Sequence, residues 1–343
     1  MPDDPILIWG AGAIGGTVGA FLVRAGHDVT FVDVVEDHVD AIADPSRGLA
    51  ITGPVDQLRV TAPAFLPSAL NGTWRKVFLC VKAHHTEAAT QALLPHLADD
   101  GYVLSLQNGL CETVIERIVG RERTVGAFVN FGADWMGPGE VMYGNRGAVV
   151  LGELDGRITG RLASLHRTML DFDDAAIMTD NIWGYLWGKL AYGAMLFAQA
   201  LGQDSIAGSL ANPALFPLWR GLGAEVMAVA DAEGIRAEGF NGFDPDAFGR
   251  NGTAAAAQAS VDAMVAHNRT STKTHSGVWR DLAIRKRRTE VDMQIAPISG
   301  IAARHGLTTP LTDRLVAMIH EIEDGTRPMT DDNLSELAGF VAA

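Results

Sequence analysis

The chain has 343 residues, long for a single hydrophobic core, so two domains are expected. Its 48% hydrophobic and 20% charged content is that of a folded globular protein, and a formal charge of −14 argues against nucleic acid or an anionic membrane surface as partner. It does not argue against a small anionic substrate, because one lysine can dominate a pocket locally.

The chain opens with a strand. Ile6, Leu7 and Ile8 form a short apolar run of the kind buried on both faces of a parallel sheet. Gly10-Ala11-Gly12-Ala13-Ile14-Gly15 follows with the spacing G-x-G-x-x-G, then a helix over residues 17–25 with Gly26 at its end, then a strand over 27–32. Each glycine has a mechanical reason: Gly10 permits the tight turn, Gly12 lets the backbone approach a pyrophosphate, and Gly15 lets helix and strand pack closely. The phosphates would sit at the helix N-terminus, where backbone N–H groups and the helix dipole favour anions. Asp33 closes the second strand at the spacing of a ribose-binding carboxylate, about 20 residues past the glycines. Its charge would repel a 2′-phosphate, and residues 32–37 contain no arginine, so NAD is expected over NADP.

Strand–helix alternation continues. A helix is expected over 35–43, extended pieces over 49–64, a strand over 77–81 and a helix over 87–97. Another strand (102–106), a helix (112–119) and a strand (124–131) follow. Lys82 and Asn108 fall at strand ends, which in open α/β sheets deliver polar groups to a ligand crevice. His84 and His85 read as polar residues of that crevice. The glycine-rich, alternating stretch 135–153 predicts a small antiparallel extension of the sheet, followed by a helix (162–172) and a last strand (175–178). Near Asp180 the period changes. Helices are expected over 183–200, 217–233, 253–265, 278–305 and 311–324, with a loop or linker over 238–252. The expected fold is therefore a mostly parallel, doubly wound α/β Rossmann domain (residues 1–180) followed by an all-α domain (181–343), with the active site in the cleft between them.

Lys189 lies in an apolar, glycine-containing helix with Trp183 and Trp187 one turn apart. Such a lysine either snorkels to the surface or is a partly buried cation whose lowered pKa suits proton donation. Glu290 ends the run Arg285-Lys-Arg-Arg-Thr-Glu. The four basic residues read first as a solvated helix face, with a basic rim for an anionic substrate as the alternative. Glu290 is placed where the helix turns inward, to pair with Lys189 or with a neighbouring arginine. Lys273, His275 and Ser276 precede this helix; Ser276 reads as an N-cap, and His275 has no partner at a recognisable spacing. Cys80 and Cys111 read as buried reduced thiols without metal-ligand spacing, so no metal is expected. The opening strand is unlike a secretory leader and nothing resembles a membrane span, so a cytoplasmic protein is expected. No nucleophile elbow supports a hydrolase.

Together these pieces resemble the ketopantoate reductase (2-dehydropantoate 2-reductase) family. The resemblance rests on Gly10-Ala-Gly-Ala-Ile-Gly15, Val81-Lys82-Ala, Gln107-Asn108-Gly-Leu, Trp187-Gly-Lys189-Leu and Arg288-Thr-Glu290-Val-Asp, which run in the family's order from about residue 5 to 325. It implies ketone reduction by hydride from a nicotinamide, with Lys189 as general acid, Glu290 assisting, and Lys82 and Asn108 lining the cofactor and substrate cleft. The chain also departs from the family. Gly193 and Phe197 stand where the family carries asparagines four and eight residues after the lysine. Ser276-Gly-Val replaces a Ser-Ser-Met sequence, and Asp33 replaces the basic residue that suits NADPH. Gly193, Phe197, His275, Ser276 and Asn108 are accordingly the candidate substrate contacts.

The expected function is hydride transfer between NAD(H), with NADP(H) as the family's alternative, and a 2-oxo acid/2-hydroxy acid pair or a related polyol-derived acid. The rival readings are a true 2-dehydropantoate 2-reductase and a non-catalytic dinucleotide-binding regulator. A homodimer is compatible with the apolar helical domain.

Overall fold

The computed structural model describes residues 4–270 and 274–340; Lys273 lies outside them. The chain divides into two compact units, one ending at Ile182 and one beginning at Trp183.

The first unit opens with β1 (Ile6–Trp9), α1 (Ala13–Arg24), β2 (Val29–Val32) and α2 (Glu36–Ala43). Three short strands follow: β3 (Leu49–Thr52), β4 (Leu58–Val60) and β5 (Ala64–Phe65). Next come β6 (Trp74–Leu79), α3 (Thr86–Leu93), β7 (Leu97–Ser105), α4 (Glu112–Val119) and β8 (Thr124–Val129). The unit ends with β9 (Gly132–Gly137), β10 (Glu140–Asn145), β11 (Val149–Glu153), α5 (Gly160–Leu170) and β12 (Ile177–Met178). Among the described residues the main sheet has the order β12-β11-β8-β7-β6-β1-β2-β5, parallel except where β11 runs against β8. Strand β1 explains the apolar run that opens the chain. Ile6 and Ile8 join the core on one face while Leu7 and Trp9 join the core on the other, and all four are at most 4% exposed. Both faces are covered, so the sequence does not alternate.

Strands β9 and β10 correct one expectation. They form an antiparallel hairpin, but β10 pairs in parallel with β3, giving a separate sheet of order β4-β3-β10-β9. Only β11 extends the main sheet antiparallel. The alternation of residues 135–153 fits the half-buried β10, whereas β11 is buried along its whole length, and alternation does not say which neighbour a strand pairs with.

The second unit is helical: α6 (Ile182–Gln199), α7 (Ile206–Ala211), α8 (Phe216–Ala232) and α9 (Ala254–Thr270), then α10 (Gly277–Ala283), α11 (Val291–Gln294), α12 (Ala296–Arg304), α13 (Pro310–Glu323) and α14 (Asp332–Gly339). Helix α6 is apolar around most of its circumference, as a helix surrounded by protein must be; Trp187, Ala191 and Met195 are 1% exposed or less. Residues 238–252 are irregular yet packed, with Phe243, Ala247 and Phe248 buried. They form a packed loop, the first of the two expected alternatives. Among the described residues no helix is long and apolar enough to cross a membrane.

The long helix expected over 278–305 is also corrected. It is three helices, and the basic run is an irregular segment in which Lys286 has φ +50°. The reason is electrostatic. Buried Asp281 accepts from Arg285 Nη1 at 2.9 Å and Arg287 Nε at 3.0 Å, and Arg288 reaches Asp324 at 2.7 Å. The Arg285–Asp281 pair, four residues apart, would also form in a straight helix, but folding the segment back brings Arg287 to the same carboxylate and Arg288 to Asp324. The run is thus neither a helical face nor a free basic rim.

Candidate active site

At the carboxyl ends of the parallel strands, neighbouring turns converge where strand order reverses about β1. Gly10 follows β1 with φ +99°, and a Cβ there would lie 2.9 Å from the backbone N of Val81. A side chain is therefore excluded twice, by conformation and by space. A Cβ on Gly15 would lie 2.0 Å from the Gly10 carbonyl oxygen and 2.9 Å from Cys80 Cβ, so α1 packs against the strands only because that atom is missing. Around Gly12 nothing lies within 4 Å of an added Cβ. Gly12, Ala13 and Ile14 are partly exposed, and no side chain caps α1. This open, uncapped N-terminus of a twelve-residue helix fits a pyrophosphate.

Asp33, at the end of β2, is held to the same turn. Its Oδ2 accepts the Ala11 N–H at 2.9 Å and its Oδ1 the Val35 N–H at 3.1 Å. Each carboxylate oxygen keeps a further lone pair for a ligand. Val34, directly after it, is an apolar residue 79% exposed.

Lys82 and Asn108 are exposed on the turns after β6 and β7. Gln107, which sequence reasoning treated only as Asn108's neighbour, ties those turns together. Its buried Nε2 donates to the Val81 carbonyl and to Thr86 Oγ1, both at 2.8 Å. The Cys111 thiol closes the second turn by donating to the Asn108 carbonyl at 3.3 Å. The signal was present in the Gln-Asn-Gly-Leu motif, where an amide next to an exposed turn has two backbone turns within reach. His84 and His85 are exposed with their rings 4.0 Å apart.

In the second unit, Lys189 is partly buried on α6. One turn on, Gly193 is also partly exposed, and an added Cβ would meet nothing within 4 Å. Phe197, by contrast, is 2% exposed and belongs to the core. Of the two positions to which the resemblance assigns an amide, one is therefore open space and the other is packing. Glu290 is buried, at the N-cap of α11 and not inside a helix. The residue before it is clamped: Glu323, whose side chain is 1% exposed, accepts from Thr289 N–H and Thr289 Oγ1, both at 2.7 Å. Glu323 also faces His320 Nδ1 at 3.0 Å, and Asp292 faces His320 Nε2 at 2.9 Å. Partial burial lowers the histidine's proton affinity, but the Glu323 hydrogen bond and the Asp292 charge more than offset it, so the net shift is upward. The stability it lends is complete below the ordinary histidine range and is lost as pH rises through the raised value.

Ser276 caps α10, accepting the Trp279 N–H at 3.1 Å, and is 3% exposed. His275 stacks 4.1 Å from the Trp279 ring with Nε2 3.2 Å from the Gln203 carbonyl. Both are occupied in holding the start of that helix. A cavity of about 200 Å³ lies at the opposite, amino end of β8, lined by Arg121, Glu153, Arg157 and Arg161 among others. Its charges pair internally, Arg161 with Glu153 and Arg157 with Asp155, and it is remote from the glycine turn. Among the described residues no cluster has the composition of a metal site.

Two family models match the chain, described as "Ketopantoate reductase PanE/ApbA" over residues 6–156 and "Ketopantoate reductase PanE/ApbA C terminal" over residues 181–323. A 2-dehydropantoate 2-reductase of Archaeoglobus fulgidus is 28% identical over 95% of this chain and 100% of its own length. Another, from Mesorhizobium japonicum, is 26% identical over 67% of this chain and 77% of its own. Among solved structures, a PanE/ApbA-family ketopantoate reductase from Ralstonia eutropha superposes with a TM-score of 0.78 at 28% identity, over 94% of this chain and 99% of that one. D-mandelate dehydrogenase with NADH and anilino(oxo)acetate shares the fold, with a TM-score of 0.80 at 23% identity over 94% and 99% of the two chains.

The Glu323 clamp makes a local prediction. Glu323→Ala strands the Thr289 donors and should cost ~3 kcal/mol in urea unfolding. Hydrogen exchange over residues 288–294 should rise well before the rest of the unit opens; a uniform change across the unit would show that Glu323 does not hold this segment in particular.

Proposed function

The chain belongs to the ketopantoate reductase family, and from that premise we propose that it interconverts a 2-oxo acid and its 2-hydroxy acid with NAD(H) in preference to NADP(H). The coarser statement follows from membership: it is a nicotinamide-dependent oxidoreductase acting on a CH–OH group. The observation that carries the finer one is Asp33. Its carboxylate is fixed beside the glycine turn by the Ala11 N–H and is followed by the exposed, uncharged Val34. A negative charge there accepts hydrogen bonds from the two ribose hydroxyls and repels a phosphate on one of them.

The bound nicotinamide supplies or receives the hydride. In the reducing direction Lys189 polarises the carbonyl oxygen and gives it a proton; in the oxidising direction the neutral amine takes that proton back. Glu290 orients the lysine or a substrate hydroxyl. Lys82 and Asn108, on turns flanking the glycine loop, face the cofactor and the acid. The substrate's substituent is expected to be more apolar than that of ketopantoate. The space beside Gly193 offers no amide to a substrate hydroxyl, and Phe197 has been absorbed into the core. A hydroxyl buried there without a partner would cost about 1–3 kcal/mol. The D-mandelate dehydrogenase of the same fold, with its aromatic oxo-acid ligand, is compatible with that reading. The names of the relatives favour ketopantoate itself as the second reading.

Three outcomes follow. Direct titration should give NAD at least about tenfold tighter than NADP, and Asp33→Asn, which keeps an acceptor for Ala11 but removes the charge, should narrow the gap; equal or tighter NADP binding by the wild type would reverse the assignment. Lys189→Ala should lower kcat by about 10²–10⁴-fold with NAD affinity unchanged, whereas parallel loss of both would mark a structural lysine. Gly193→Asn should raise kcat/KM for ketopantoate, relative to an aromatic 2-oxo acid, by up to about tenfold; an unchanged ratio would mean this face does not touch the substrate.

A further inference from the structure

One buried imidazole touches the glycine turn. His38, on α2, is 1% exposed and both ring nitrogens are engaged. Nδ1 receives the Gly139 N–H at 2.8 Å, and Nε2 lies 2.8 Å from the Ala11 carbonyl oxygen. A backbone N–H can only donate and a carbonyl can only accept, so the ring carries its proton on Nε2 and donates it to Ala11. A single proton satisfies both contacts in no other arrangement.

Ala11 lies between Gly10 and Gly12, in what would otherwise be a pliable stretch of backbone. Its N–H is held by Asp33 and its carbonyl by His38. The carbonyl also occupies the space where a Cβ on Gly16 would stand, at 2.7 Å, so it is confined by α1 on one side and by the imidazole on the other. The imidazole's other contact is the tip of the β9–β10 hairpin, where Gly139 sits at φ +77° and passes its own carbonyl to the Ala50 N–H at 2.8 Å. The second sheet is thus hydrogen-bonded through one side chain to the residue that sets the direction of the turn.

We propose that His38 is a positioning residue for dinucleotide binding: by fixing the Ala11 carbonyl it aims the N–H groups at the start of α1 toward the pyrophosphate. The proposal rests on reading the glycine turn as the dinucleotide site. It separates His38 from an ordinary core histidine, because its two contacts act on different things. One shapes the turn and the other anchors the hairpin.

The two contacts can be dissected by substitution. In His38→Gln the amide nitrogen takes the place of Nε2 and keeps the donor to Ala11. In His38→Asn the amide oxygen takes the place of Nδ1, keeping the acceptor for Gly139 but losing the donor. Both variants should lower the melting temperature by similar amounts. His38→Asn should raise Kd and KM for NAD about tenfold with kcat at saturation within about twofold of wild type, while His38→Gln stays within about threefold in KM. Equal KM in both variants, or a fall in kcat with KM unchanged, overturns the proposal. Nitrogen-15 NMR of the histidine ring in the unliganded wild type is the second measurement and depends on no variant. It should show the Nε2–H tautomer. An Nδ1–H ring would overturn the clamp while leaving the dinucleotide reading intact. An Nε2–H ring in a wild type that binds neither NAD nor NADP would overturn both.

Discussion

The first unit depends on one peptide, that of Ala11, being held in a turn whose glycines leave it free to move. Three constraints meet there: the Asp33 carboxylate, the His38 imidazole and the missing Cβ of Gly16. A helix N-terminus can bind an anion only as well as its N–H groups are aimed. Glycines that let the backbone approach a ligand also make that aim costly to keep, since each loses more conformational freedom on ordering than any other residue. Here the order is supplied from outside the turn by groups on β2 and α2, so the backbone can remain bare where a ligand would touch it.

The same economy recurs along the sheet edge. Gln107 ties the turn after β7 to the turn after β6, leaving exposed Lys82 and Asn108 on supports that are themselves buried. In the second unit Glu323 fixes Thr289 and so the backbone entering Glu290. In each case an exposed or candidate functional side chain is preceded or followed by a residue held by a buried side chain that bonds both a backbone group and a neighbouring hydroxyl. Positioning of this kind is what lets charged groups act without first being reorganised.

Much of the α/β sheet was readable from residues, because strands buried on both faces advertise themselves as apolar runs and the turn after β1 requires glycine for reasons of space. Asp33, Lys82 and Asn108 fall at carboxyl ends of neighbouring strands by the same logic. The pairing of β10 with β3 was not readable, since alternation along a strand names its buried face but not its neighbour. The break at residues 284–290 was hidden as well. Leu282, Val291 and Ile295 keep an apolar rhythm across it, no proline or glycine marks it, and Asp281 receives Arg287 only once the chain has turned. His38 was invisible for a related reason: in sequence it is one polar residue on a short amphipathic helix, and its partners lie 27 and 101 residues away.

The departures from the family carry the chemical interest. In the proposed reading Asp33 offers the adenosine ribose a negative charge, and Gly193 and Phe197 stand where the resemblance assigns two amides on the lysine helix. The proposed preference for NAD and for an acid with less to hydrogen-bond rests on these two departures. The most direct measurement is the passage of label from NADH deuterated at the nicotinamide C4 to a series of 2-oxo acids whose substituents run from methyl to phenyl. The account predicts deuterium at C2 of the hydroxy-acid product, read by mass spectrometry, with transfer from NADH outpacing transfer from the corresponding NADPH. NADH left unoxidised by every acid, or label passing from NADPH alone, would contradict it.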